Sequence, residues 1–127
     1  MKTLIFPNTS NELLRVNIRD IIYVEADGNY CHMHMKGGCE QDLWFNKKHF
    51  TDIVEEQMSD EMPIFIEVGR SYIINRMYIY SINPIKGKLS LYGSGCEQII
   101  SLDVSQAALG KLRDYIQSID ELNEYKL

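Results

Sequence analysis

The sequence predicts a mainly β fold, with short antiparallel strands stacked as small sheets and two short α-helices, about 47–58 and 104–119. Three observations predict it. Apolar and polar residues alternate over short runs, as from Tyr30 to Lys36, where Tyr30, His32 and His34 point one way and Cys31, Met33 and Met35 the other. Gly, Pro, Asn and Asp clusters break the chain at short intervals. Two windows carry apolar residues at spacings of three and four instead. Strands this short fit a meander or sandwich better than alternating βα units.

Leu4-Ile5-Phe6 and Leu13-Leu14-Arg15-Val16 read as two early strands, split by the turn-rich Pro7 to Asn11. Ile21 to Ala26 is a near-continuous apolar run, suited to a buried central strand. Asp27-Gly28-Asn29 reads as a hairpin turn, because Asp-Gly supplies the positive φ that tight turns require. Lys36-Gly37-Gly38 ends the next strand, and Gln41 to Phe45 can pair back. Asn46 is the expected N-cap of a helix whose stripe is Phe50, Ile53, Val54 and Met58. Ile64 to Val68 reads as a strand, followed by a polar break and an apolar turn closed by Asn75. Met77 to Asn83, Lys88 to Tyr92 and Glu97 to Ser101 complete the strands. A second helix is expected to open at Asp103, with Gln106 three residues on as in a capping box, and to fray after about Ile119.

The chain has 127 residues, enough for one domain with a real core and too few for two. With 45% apolar and 24% charged residues it has an ordinary globular composition. No run is long enough to span a membrane, and the N-terminus has no secretory signal, so a cytoplasmic protein without a membrane partner is expected. The sequon Asn8-Thr9-Ser10 is accordingly a chance match. Cys31, Cys39 and Cys96 lack metal-type spacing and read as free thiols.

No phosphate loop, nucleophile elbow or zinc-protease pattern is present, and no enzyme is predicted. Cys31 beside His32 is a thiol next to a base, but adjacent strand residues face opposite ways. His32 and His34 share a face and could chelate a metal with a third ligand such as His49. Paired histidines on an exposed face are more often solvated or packed, so no metal or cofactor is assigned. The net charge of −5 weighs against easy nucleic-acid binding, whose non-specific affinity comes mainly from Lys and Arg at phosphates.

Two segments carry a family resemblance. Ile21-Ile22-Tyr23-Val24-Glu25-Ala26-Asp27-Gly28-Asn29-Tyr30 and Phe65-Ile66-Glu67-Val68-Gly69-Arg70-Ser71-Tyr72-Ile73-Ile74-Asn75 resemble the LytTR family of DNA-binding domains, found in LytR/AlgR-like response regulators. Its patterns are "I-x-Y-I-E-A-x-x-N-Y" and "F-x-R-x-H-R-S-Y-I-V-N". The resemblance is strongest over 11–119 and implies that 1–127 is a single LytTR-like domain of a bacterial two-component system. Members commonly follow a receiver domain that dimerises them on phosphorylation. None is present here, so the chain is expected to be an excised domain or a stand-alone member.

By that resemblance, this is a DNA-binding transcriptional regulator that contacts double-stranded DNA through sheet-edge loops, as a homodimer or side by side on half-sites. The loop residues implied are Asn29, Tyr30 and His32, then Gly69 and Arg70, then Ser101, with Lys47 and Lys48 adding phosphate contacts from the first helix. Arg70 could instead be held in a surface salt bridge to Glu67. Asn75 is expected to cap a turn, and Tyr72 to pack inward with Ile74. The family usually has arginine and histidine where this chain has Glu67 and Gly69, and "S-R-R" where it has Ser101-Leu102-Asp103. The alternative is therefore a degenerate LytTR-like protein-interaction or dimerisation module that has lost its DNA contacts. A small-molecule sensor on the Cys/Met face of Tyr30 to Lys36 is a third reading, against which that face is simply core.

Overall fold

The computed structural model describes residues 2–58 and 63–124, with the side chains of the last helix followed as far as Ile119. The acidic residues Asp60 and Glu61 lie outside them. The strands are β1 (Thr3–Thr9), β2 (Glu12–Asn17), β3 (Ile21–Asp27), β4 (Tyr30–Met35), β5 (Cys39–Leu43), β6 (Phe65–Val68), β7 (Tyr72–Asn75), β8 (Ile79–Asn83), β9 (Lys88–Leu91) and β10 (Ile100–Asp103). The helices are α1 (Lys47–Met58) and α2 (Gln106–Glu124). They form three antiparallel sheets, β1-β2, β5-β4-β3-β7-β6 and β10-β9-β8, as the sequence predicts.

The five-stranded sheet is the middle layer. One core joins its first face to α1 and the β1-β2 ribbon through Leu4, Phe6, Val24, Met33, Phe50 and Ile73. The other joins its second face to β8-β10 and α2 through Ile74, Val68, Leu89, Leu91, Leu102 and Leu109. Removing a side chain of this size from water contributes about 1.5–3 kcal/mol. The apolar run of β3 serves both cores because a bulge at Ile22 breaks the strict alternation between Ile21 and Tyr23. Ile21 and Val24 enter the first core, while Ile22 and Tyr23 enter the second. Cys31 and Met33 are fully buried, so the Cys/Met face is core.

Five expectations are corrected. β1 continues through Pro7 and Asn8, because buried Asn8 is held from both sides: its Nδ2 donates to Glu12 (2.6 Å) and to the Asp42 carbonyl (3.0 Å), and its Oδ1 accepts from the Trp44 N–H (2.7 Å). The apolar turn before Asn75 is the strand β7, sandwiched between β3 and β6. The last strand begins at Ile100, later than Glu97, with Asp103 as its final residue. Asp103 therefore caps nothing. The cap of α2 is Ser105, whose Oγ accepts from the Ala108 N–H (3.2 Å), and the helix runs past Ile119 to Glu124. Asn46 caps α1 as expected, accepting from the His49 N–H (2.9 Å).

Asn75 does more than cap. Its Oδ1 accepts from the Met77 N–H (3.0 Å), starting a 3-10 turn at Arg76–Tyr78. Its Nδ2 donates to the carbonyls of Ile18 (3.2 Å) and Ile21 (2.8 Å), so one buried amide ties this turn to a second 3-10 turn, Ile18–Asp20. Asn17 caps that second turn in the same way, through the Arg19 N–H (2.9 Å).

Candidate nucleic-acid interface

The turns singled out by the sequence meet at one end of the central sheet. β3 and β7 are antiparallel neighbours, so the β3-β4 turn and the β6-β7 turn project from the same edge. A bond from the Ala26 N–H to the Ser71 carbonyl (2.7 Å) joins them. Gly28 (φ +60°) and Gly69 (φ +62°) adopt a backbone conformation that a Cβ would strain. At Gly69 a Cβ would also touch Ala108 and Val104, so this hairpin leans on the link from β10 to α2. The β8-β9 turn joins them, since the Val104 N–H donates to the Gly87 carbonyl (3.0 Å). Both helices start here: Ser105 caps one, and Lys47, first in the other, reaches the Arg70 carbonyl with its Nζ (3.0 Å). Helix N-termini carry partial positive charge.

The cations at this end differ in their availability. The Lys47 ammonium is paired with Glu67, Lys48 with Asp52 (3.2 Å) and Lys88 with Asp103. The alternative Arg70–Glu67 bridge does not form. Glu67 pairs across from Ile73 and faces α1, whereas Arg70 sits in the turn. The exposed Arg70 guanidinium makes no hydrogen bond or ion pair among the described residues. It borders an open groove of about 700 Å³ between the hairpin and α2, with Ser105 and Lys111 on the other side. Lys111 is a cation that the motif comparison does not reach, because it lies one helical turn into α2. Arg76 follows Asn75 at the opposite end of the sheet.

Of the remaining predicted residues, Asn29 is exposed in the β3-β4 turn. Tyr30 follows it and packs edge-on against Trp44 (centroids 5.4 Å apart), leaving both rings about half exposed. Trp44 gave no sequence signal, since it follows β5 by one residue and only the strand pairing brings it to Tyr30. Ser101 is exposed on β10, opposite Ser90.

His32 lies further in. Its Nε2 is 2.8 Å from Asp27 and its Nδ1 2.7 Å from Asp42. Hydrogen bonds to Asp27 and then Asp42 push its pKa up to about 9, so it is a cation at neutral pH, held between two carboxylates. Cys31 behind it is fully buried, and burial raises its thiol to about 11, which leaves no nucleophile at neutral pH. All three cysteines are free. Among the described residues no helix is long and apolar enough to cross a membrane.

Residues 11–117 match the LytTr DNA-binding domain family. Among solved structures, the chain is similar to one described as the LytTr DNA-binding domain of a methyl-accepting/DNA response regulator from Bacillus cereus. That chain is 19% identical, over 91% of this chain and 94% of its own, with a TM-score of 0.58. At this identity the likeness is one of fold. No curated protein matches the chain. The family match spans most of the sequence and agrees with the three small sheets and two helices, so the chain belongs to the LytTr DNA-binding domain family, whose members are DNA-binding regulatory domains rather than enzymes.

Proposed function

We propose that the chain contacts duplex DNA through the turn-bearing end of its central sheet, with Arg70 as the principal side chain. The observation that carries this reading is the exposed Arg70 guanidinium, without a hydrogen bond or ion pair among the described residues, in a turn flanked by two helix N-termini. An exposed arginine on a short hairpin can reach a guanine edge with two hydrogen bonds, or a phosphate. The partial positive charge of α1 and α2 favours phosphates beside it. Gly69, Asn29, Tyr30 and Ser101 line the approach, Lys111 adds a cation to the groove, and His32 lies behind the first turn. Lys47 and Lys48 contribute once a phosphate competes with Glu67 and Asp52. Two copies side by side would double the footprint on repeated half-sites.

The second reading is a protein-interaction or dimerisation module without DNA contacts. The pairing of Lys47, Lys48 and Lys88 with acids favours it, because each neutralised cation releases no counterion on binding. Binding to random duplex DNA across a salt series separates the two. The DNA reading expects binding at about 50 mM salt that falls steeply as salt rises, with Arg70→Ala lowering the slope by about 0.9. No binding at the lowest salt would leave the interaction module.

A further inference from the structure

The second face of the central sheet is covered over β3, β7 and β6 by β8-β10 and α2. Over β4 and β5 the side chains are polar and partly exposed, and their composition is unusual. His32 and His34 alternate on β4, and Asp42 and Glu40 stand directly opposite them on β5. Glu25 lies across from His32 on β3. The carboxylates here take their contacts from imidazoles: Asp27 and Asp42 from His32, Glu25 and Glu40 from His34 at 3.5 Å each.

We propose that this half-face is a binding site for a borderline divalent cation of the Zn²⁺ type, held by His32, Glu40 and Asp42. One ligand atom from each of the three lies within 4.8 Å of the others. Zn²⁺ bonds to nitrogen and carboxylate oxygen are about 2.0–2.2 Å, so the ligands must draw closer. Glu40 and Asp42 are about half exposed and can swing inward, while the imidazole stays fixed. Three protein ligands leave a fourth tetrahedral position for water.

One further observation points to a cation rather than a simple salt-bridge ladder. Asp27 accepts from His32 Nε2 on the side away from Asp42, the carboxylate–histidine arrangement that orients a ligating imidazole. Zn²⁺ at Nδ1 thus takes the place of the proton now held against Asp42 and releases it to solvent. His34 stacks flat on Tyr23 (centroids 4.2 Å apart, 7° between planes) with its Nε2 3.5 Å from Glu25, so it walls the site and is not one of the ligands. Its Nδ1 lies 3.5 Å from Glu40, a contact long enough for that carboxylate to leave toward Asp42. The strand register thus sets one imidazole, His32, beside two carboxylates, a nitrogen and oxygen donor set suited to Zn²⁺. His49, the third ligand suggested by sequence, instead packs against Phe45 on α1.

The test is calorimetric titration of Zn²⁺ into tag-free, chelator-treated protein near neutral pH, with no DNA present, so that it stands apart from the DNA reading. We expect one site per chain, with a dissociation constant below about 100 μM. His32→Ala and Asp42→Asn should each weaken it at least about 10-fold, while His49→Ala leaves it unchanged. Circular dichroism reports folding; if His32→Ala does not fold, Asp42→Asn at its exposed carboxylate decides. Weaker binding by the native chain, full affinity in the folded variants, or loss only on His49→Ala would overturn the proposal.

Discussion

At one end of the central sheet, polar side chains are buried and bonded to backbone. Asn75 is fully buried and bridges two turns, and Tyr78 Oη donates to the Arg19 carbonyl (2.5 Å). At the other end, Arg70 is exposed and its guanidinium has no hydrogen bond or ion pair among the described residues, while Lys47, Lys48 and Lys88 are matched to surface acids. The difference separates groups whose partners are supplied by folding from groups left available to a ligand. A buried polar group without its partner costs roughly 1–3 kcal/mol, so the first end tolerates little change. The second is constrained mainly by charge. Changes at the Asn75 end should therefore move stability and leave DNA affinity per folded molecule intact, and changes at the Arg70 end the reverse.

The sharpest way to break this contrast is Asn75→Ala. It removes the donor to two carbonyls and the acceptor for the Met77 N–H in a site closed to water. A loss on the order of 3 kcal/mol is expected in denaturant unfolding. A loss below about 0.5 kcal/mol, the level of an ordinary surface change, would mean that the two 3-10 turns hold without it. Tyr78→Phe at the same end keeps the ring in the second core and deletes only its hydroxyl, so about 1 kcal/mol is expected.

The same contrast accounts for what was legible in the sequence. Asn75 follows Ile73-Ile74, and an asparagine there signals a capped turn by local chemistry alone. The strand before it was missed because Tyr72 to Asn75 is too short to show alternation, and its neighbours β3 and β6 identify it only after pairing. Asp103 with Gln106 imitates a capping box, but β10 holds Asp103 against Lys88, and Ser105 two residues on takes the role. The alternative Arg70–Glu67 bridge fails for a similar reason: strand alternation turns Glu67 toward α1, where Lys47 meets it from far along the chain. Local signals thus recovered the turns and the family frame. The electrostatics of the candidate site depend on register.

At the Arg70 end, Glu67→Gln releases Lys47 without touching a core. Stability should change by no more than about 0.5 kcal/mol, because the pair is a surface one. Affinity for random duplex DNA should rise, and its salt slope should steepen by up to about 0.9 if the freed ammonium engages a phosphate. An unchanged slope would mean that Lys47 stays on the Arg70 carbonyl and out of the interface.

The smallest effect is expected at His32, between the turn and the open half-face, and it should appear as a pH dependence. The folded pKa, about 9, lies above the ordinary 6.5 because Asp27 and Asp42 accept from the imidazolium. Folding therefore favours the protonated ring. The resulting stability is fully present below pH 6.5 and is lost as pH rises through about 9. His32→Gln cannot titrate there, so in chelator its melting temperature should trail that of the native chain below pH 6.5, the gap closing above pH 9. Exposure of both carboxylates and screening by salt keep the gap small. A gap that stays constant across that window would show that His32 supports the sheet by packing and hydrogen bonds alone.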